Sequence, residues 1–263
     1  MQLEPMPAEA VLAEAYGKAA SEDYLAEEPG QRATARAILA RIEEHTAPGR
    51  LADLGCWVGF FPDEARRRGW QAVGVEPSEW AAAYARERLG LEIENAPLLD
   101  ADLPAGGFQA IFMGDVIEHL PDPGAALGRV RDLLAPDGVL ALTLPDAGSR
   151  MARLLGRRWW SVIPTHVHYF TRASLRTLLG RCGFRVLAVT TAPKRFTVRY
   201  YLSRLGGYSP ALGRLAVAAA ERAGLADRLW APDLRDRMLV LASPAAVRLA
   251  APTNEIEEDG TSD

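Results

Sequence analysis

Asp53, Gly55, Gly59 and Glu76 stand in an order that can hold a polar ligand. Residues 51–78, LADLGCWVGFFPDEARRRGWQAVGVEPS, read as a buried strand, a glycine-bearing turn, a short helix and a second strand ending in an acid. An acid at that strand end can accept hydrogen bonds from ribose hydroxyls, which points to a nucleoside-containing ligand. A dinucleotide is a poor match. Its pyrophosphate needs G-x-G-x-x-G running into a helix N-terminus, whereas this turn reads D-L-G-C-W-V-G, with two glycines four apart and Asp53 two residues before the first. An acid there suits a ligand that carries an ammonium group and no phosphate. Cys56, Trp57 and Pro77 complete the two loops that would face it.

Four histidines are the candidates for moving a proton near neutral pH. His119 follows Glu118 in DVIEHL, directly after an apolar run expected to be a strand, so it falls at the ligand edge of the sheet. His166 and His168, in THVHYF, alternate as on an extended segment and so point the same way, close in sequence to Trp159 and Trp160. They either line an acceptor pocket or bond to backbone and fix a loop. His45 ends an early helix and should face solvent. The two cysteines, Cys56 and Cys182, cannot build a disulfide framework, and they lack metal-ligand spacing with the histidines, so no metal site is expected.

Beyond the first turn, the run FQAIFMGDVIEHLPDP from Phe108 to Pro123 and LLAPDGVLALTLPD from Leu133 to Asp146 follow in order, and then GRRWWSVIPTHVHYFTRASLRTLLGRCGF from Gly156 to Phe184. In this combination the chain resembles bacterial class I S-adenosylmethionine-dependent methyltransferases, of the ubiquinone-biosynthesis-like and cell-envelope group, over roughly residues 16 to 190. The resemblance implies S-adenosyl-L-methionine as cofactor. Asp53 and the backbone of Gly55 to Gly59 would hold its methionine portion, and Glu76 its ribose. Asp100 would take the adenine amino group, with Asp102 as rival, and Met113, Gly114 and Asp115 would line the methionine side by backbone. Such enzymes often carry a third glycine in the turn. This chain has Trp57 there, which must either pack under the adenosine or obstruct it.

The same resemblance implies methyl transfer, to oxygen or nitrogen, on a small-molecule or lipid- or sugar-linked acceptor. His119, His166 and His168 are the candidate bases if that acceptor is a hydroxyl. The competing reading is a protein that keeps the fold for binding or regulation and has lost transfer. A nucleic-acid substrate is disfavoured, because a base-recognition motif such as N-P-P-[YF] is absent.

These residues need a scaffold, and the hydrophobic pattern supplies one. Short apolar runs at Leu51–Cys56, Gln71–Glu76, Phe108–Gly114 and Val139–Leu144, bounded by Gly, Pro or Asp, suit buried parallel strands. Helical periods fall between them. Ser78 caps EWAAAYARERL, which Gly90 ends, and Thr171 caps RASLRTLLGRC before the strand FRVLAV. The fold class is therefore α/β, a doubly wound, mostly parallel Rossmann-like sheet. Resemblance makes it seven-stranded, with Arg237–Ser243 as an antiparallel final strand. Residues 1–46 form an N-terminal helical segment on the sheet edge, 47–248 the cofactor domain with a helical cap at about 194–232, and 249–263 a disordered acidic tail.

The 263 residues are 49% hydrophobic, enough for one large core, and carry a net charge of −4. That total hides a division. Residues 1–146 hold 12 Lys+Arg and 25 Asp+Glu, residues 147–248 hold 18 and 4, and the tail holds 0 and 5. The basic half is where an anionic acceptor is expected, and Arg150, Arg153, Arg157 and Arg158 beside the Trp pair could touch an anionic membrane. An apolar run of 18 residues is absent, as is a basic-then-apolar N-terminus, so a cytoplasmic location is expected. The oligomeric state is left open.

Overall fold

The structure, a computed structural model, describes residues 25–207 and 209–245. The expected acidic tail and the start of the N-terminal segment lie outside the described residues. Helix α1 (Glu28–Ile42) leads to β1 (Arg50–Leu54), α2 (Phe60–Arg67), β2 (Gln71–Val75), α3 (Glu79–Leu89) and the short β3 (Glu92–Glu94). Then come β4 (Phe108–Gly114), α4 (Pro123–Leu133), β5 (Leu134–Pro145), α5 (Arg150–Leu155), α6 (Arg172–Arg181) and β6 (Phe184–Thr191). Between β6 and the last strand lie β7 (Phe196–Thr197), α7 (Val198–Ser203), α8 (Pro210–Arg222) and β8 (Leu229–Trp230); β9 (Arg237–Pro244) closes the sheet.

Seven strands form one sheet in the order β3-β2-β1-β4-β5-β9-β6. Neighbours from β3 to β5 pair in parallel, and β9 inserts antiparallel between β5 and β6, as the resemblance implied. The order reverses between β1 and β4, which opens a crevice at their carboxyl ends.

Side-chain alternation splits the core into two layers. Ala52, Leu54, Ile111, Met113, Leu140 and Leu142 face Leu127 and Val130 of α4 and Leu175 and Leu179 of α6. Their sequence neighbours Leu51, Ala110, Phe112, Val139 and Ala141 face α1 and Phe61 of α2. Leu39 and Ile42 of α1 are fully buried there, and each such side chain contributes roughly 1.5–3 kcal/mol by leaving water. Helix α1 thus covers the middle of a sheet face rather than its edge. The edge strands are β3 and β6, and the apolar stripe of α1 meets the central strands.

The helix boundaries follow local chemistry. Ser78 Oγ accepts from the Ala81 amide at the start of α3, and Gly90 ends that helix at φ 62°. Thr171 and Ser174 form a reciprocal capping box on α6.

Candidate functional site

The turn after β1 is held in shape by its neighbours. The Gly55 and Cys56 amides both donate to the Val75 carbonyl of β2, at 2.8 and 3.1 Å, which locks the turn beside the second strand end. Gly55 adopts φ 86°, and a Cβ on it would lie 2.5 Å from Val116 Cγ2, so this position needs glycine. Trp57 also has positive φ, 51°. An indole residue therefore occupies the backbone conformation that glycine usually supplies, at a cost of roughly 1–3 kcal/mol. Its ring stands 5.8 Å from Trp80 and packs with Val58, Phe60 and Tyr84.

Glu76 is 4% exposed. Its Oε2 accepts from the Trp57 amide at 2.8 Å and its Oε1 from the Ser78 amide at 2.8 Å, so the acid that could bind ribose also ties the two loops together. Asn95 Nδ2 donates to the Glu76 carbonyl at 2.7 Å. Asp53 lies at the end of β1 and is 2% exposed. Burial, reinforced by the nearby Glu76 charge, pushes its carboxyl well above the ordinary range; burial also raises Glu76, against the two amides that favour its anion. Neither acid has a salt bridge among the described residues, so this end of the site lacks a cation.

Opposite this turn, β4 ends at Gly114, and Asp115 follows at φ 57° with its amide donating to the Thr143 carbonyl at 2.8 Å. Lys194 Nζ reaches Asp115 Oδ2 at 2.5 Å, and Arg237 binds the other oxygen. Burial alone would raise this carboxyl, but the two cations outweigh it and hold Asp115 well below its usual value. A 3₁₀ turn, Ile117–His119, then places His119 with Nδ1 2.8 Å from the Thr165 carbonyl.

These groups surround a cavity of about 990 Å³ at the strand ends, large enough for a nucleoside and a small acceptor together. Of the sequence-derived residues, Asp53, Gly55, Cys56, Trp57, Glu76, Pro77, Asp100, Gly114, Asp115 and His119 line it. Asp100 is on the wall, whereas the Asp102 amide is turned back to Glu94 Oε1 at 2.7 Å.

Four expected residues are not on that wall. Gly59 stands at the foot of α2, where its φ of 84° shapes the turn and a Cβ would meet Leu91 at 2.6 Å. Met113 is fully buried in the core, because alternation along β4 turns it away from the Phe112 side. His166 and His168 do not share a setting. His166 is buried, with Nδ1 2.7 Å from the Ser161 carbonyl and its ring 4.7 Å from that of His119. His168 lies 5.7 Å from Phe170 and reaches the Pro121 carbonyl, since both the Val167 and His168 amides bond to Glu118 O and the segment bends there.

The wall also includes residues that sequence reading missed: Thr34 and Ile38 of α1, Asn95 and Leu98 after β3, Val116, Thr143, Lys194 and Phe196. They come from loops and helices distant in sequence. A polar residue just past a strand end was the signal that could have found Asn95. A second cavity of about 400 Å³ shares Thr34, Ile38, Thr143 and Lys194 with the first and adds Arg41, Arg195 and Arg237. The Trp pair divides: Trp159 is buried with Nε1 3.4 Å from Asp236, while Trp160 is half exposed. Among the described residues no helix is long and apolar enough to cross a membrane.

A family model described as a methyltransferase domain matches residues 27–189. The chain is 37% identical over 98 residues to the ubiquinone biosynthesis O-methyltransferase of Caulobacter sp. (strain K31), covering 35% of this chain and 38% of that protein. It is 31% identical over 169 residues to the trans-aconitate 2-methyltransferase of Rhodopseudomonas palustris (strain HaA2), covering 62% and 64%. The match spans less than two-fifths of the first relative's length. Among solved structures, the magnesium protoporphyrin IX methyltransferase of Synechocystis, with bound SAH, shares the fold at a TM-score of 0.59 and 13% identity, covering 90% of this chain and 99% of that one.

Proposed function

The chain belongs to the methyltransferase-domain family that its residues 27–189 match, and from that membership we propose that it transfers a methyl group from S-adenosyl-L-methionine to a small anionic acceptor, at an oxygen atom. When bound, that cofactor supplies a methyl group already activated on a sulfonium. The observation that carries the reading is the pair of buried acids, Asp53 and Glu76, facing a 990 Å³ cavity and without a salt bridge among the described residues.

The residues fit the cofactor. Asp53 offers a carboxylate to an ammonium group, and each Glu76 oxygen, having accepted one amide proton, keeps a lone pair for a ribose hydroxyl. Asp100 and Leu98 would meet the adenine, with Asn95 fixing the loop that carries them. Alignment and exclusion of water are what such a displacement asks of a protein. Phe60, Phe61, Phe112 and Phe196 give the cavity dry walls. Lys194, between the two cavities, supports an anionic acceptor, and the oxygen follows the named activity of the ubiquinone-pathway relative.

The test is direct. Calorimetry should detect S-adenosylhomocysteine binding to the native chain, and Glu76→Ala should weaken it by about 100-fold or more, from two charge-assisted hydrogen bonds at about 1.5–3 kcal/mol each. Labelled methyl groups should then pass from the cofactor to members of a panel of phenolic and carboxylic acids. No heat with the native chain defeats the reading; binding with no transfer to any acceptor returns the protein to the non-catalytic alternative.

A further inference from the structure

The smaller cavity is a polar pocket on an otherwise apolar face. Direct partners across an antiparallel pair put their side chains on the same side of a sheet, and Thr143 of β5 and Thr190 of β6 both pair with Leu239 of β9. Leu239 belongs to the face that α1 covers. Arg237, two residues earlier on β9, falls on that same face beside Pro145 at the carboxyl end of β5. The loop after β6 then closes the pocket. The Ala192 amide donates to the Arg237 carbonyl at 3.2 Å, and the Arg195 amide to Thr34 Oγ1 of α1 at 2.8 Å.

Arg41, Lys194, Arg195 and Arg237 line the resulting space of about 400 Å³, and among the described residues no carboxylate lines it. Lys194 and Arg237 share Asp115, and Arg41 pairs with the exposed Glu44. Other donors lack acceptors. Among the described residues Arg195 has no ion pair, the Thr143 and Thr190 hydroxyls make no hydrogen bond, and Arg237 Nε is buried without a partner. Donors left in that state are unfavourable, and a set that combines positive charge with hydroxyls is answered by a group that only accepts and is itself negative.

We propose that this cavity is a subsite for an oxyanion, the carboxylate or phosphate group of the acceptor, and that the group held there is not the one methylated. Arg195 and Thr190 line the smaller cavity alone, Asp53, Glu76 and Asp100 the larger alone, and Thr34, Ile38, Thr143 and Lys194 join the two. An acceptor spanning that join keeps its anion beside Arg195 and presents a hydroxyl at its other end to the cofactor. The substrate class is an elongated hydroxy acid or hydroxylated phosphate ester. This use of the pocket rests on the methyl-transfer reading, whereas its binding of an oxyanion does not.

The competing arrangement is purely structural, with the cations bracing Asp115. It accounts for Lys194 and Arg237 but gives no role to Arg195 or to the two hydroxyls.

The full chain, titrated with inorganic phosphate and separately with glutarate at constant ionic strength, separates the two through its thermal midpoint, because a ligand of the native state raises that midpoint with a saturable binding term. Phosphate also stabilises proteins by exclusion from their surface, but that effect does not depend on one side chain. We expect a specific rise with at least one probe, and the probe effective at the lower concentration marks phosphate or carboxylate as the group held. Arg195→Met should weaken the apparent affinity about tenfold or more, and the nearly isosteric Thr190→Val about threefold, as for the loss of a charged and a neutral hydrogen bond. Arg153→Met, at a residue that lines neither cavity, should change nothing. Circular dichroism checks folding, and Thr190→Val decides if Arg195→Met does not fold. S-adenosylhomocysteine, read by calorimetry, should bind equally well with the probe present. No rise with either probe, a rise unchanged in both variants, or displacement of S-adenosylhomocysteine by the probe overturns the subsite. If S-adenosylhomocysteine itself fails to bind, the methyl-transfer reading falls, and the two variants still decide whether the pocket holds an oxyanion.

Discussion

Asp53 is the residue whose behaviour most depends on what fills the cavity. Burial and the neighbouring Glu76 charge raise its carboxyl well above the ordinary carboxylate range, and no salt bridge offsets this among the described residues. A raised acid binds more protons folded than unfolded, so the native chain loses stability as pH climbs from the ordinary aspartate value through the raised one. A cationic ligand reverses the preference, because it stabilises the carboxylate. Cofactor affinity, measured by calorimetry across that window, should therefore increase with pH in the native chain. Asp53→Asn should bind more weakly at the upper end, lose this slope, and unfold with a flatter pH profile. A slope equally steep in the variant would move the effect to another group.

At the scale of elements, the turn between β1 and α2 shows why glycine and positive φ matter to the site. Placing alanine at Gly55 forces a side chain into the left-handed region, about 1–2 kcal/mol, and drives its Cβ to 2.5 Å from Val116 Cγ2. Gly55→Ala should lower the thermal midpoint by several degrees and weaken cofactor binding. Adding Val116→Ala should restore part of the stability, the part due to the clash, and leave the backbone strain. The same turn was legible in the sequence. Its acid, its two glycines and the acid after β2 are local signals, as are the Ser78 and Thr171 caps, which start α3 and α6 in the structure. What was not legible depends on distance along the chain. Strand β3 has three residues, too few for a period, and Lys194 reaches Asp115 across 79 positions. The shared orientation expected for His166 and His168 failed because that segment hangs on the Glu118 carbonyl rather than on a regular strand.

Across the whole molecule, the division of charge in the sequence converges on one place. The acidic half supplies Asp53, Glu76 and Asp115; the basic half supplies Lys194, Arg195 and Arg237, carried to the cavities by β6, its following loop and β9. The arginines from Arg150 to Arg158, which drew attention in the sequence, line neither cavity. Lys194 is the member best placed to meet an acceptor, being partly exposed where the two cavities join. Arg237 also pairs with Asp115, so that acid keeps one cation when Lys194 is replaced. Lys194→Met keeps the aliphatic stem and removes the charge. For an anionic acceptor identified from the panel, KM should rise about tenfold, equivalent to about 1.4 kcal/mol, while S-adenosylhomocysteine affinity stays within about twofold. A neutral analogue of the same acceptor should show no such loss. An equal loss for both would place the role of Lys194 in holding Asp115 and remove the argument that the acceptor is an anion.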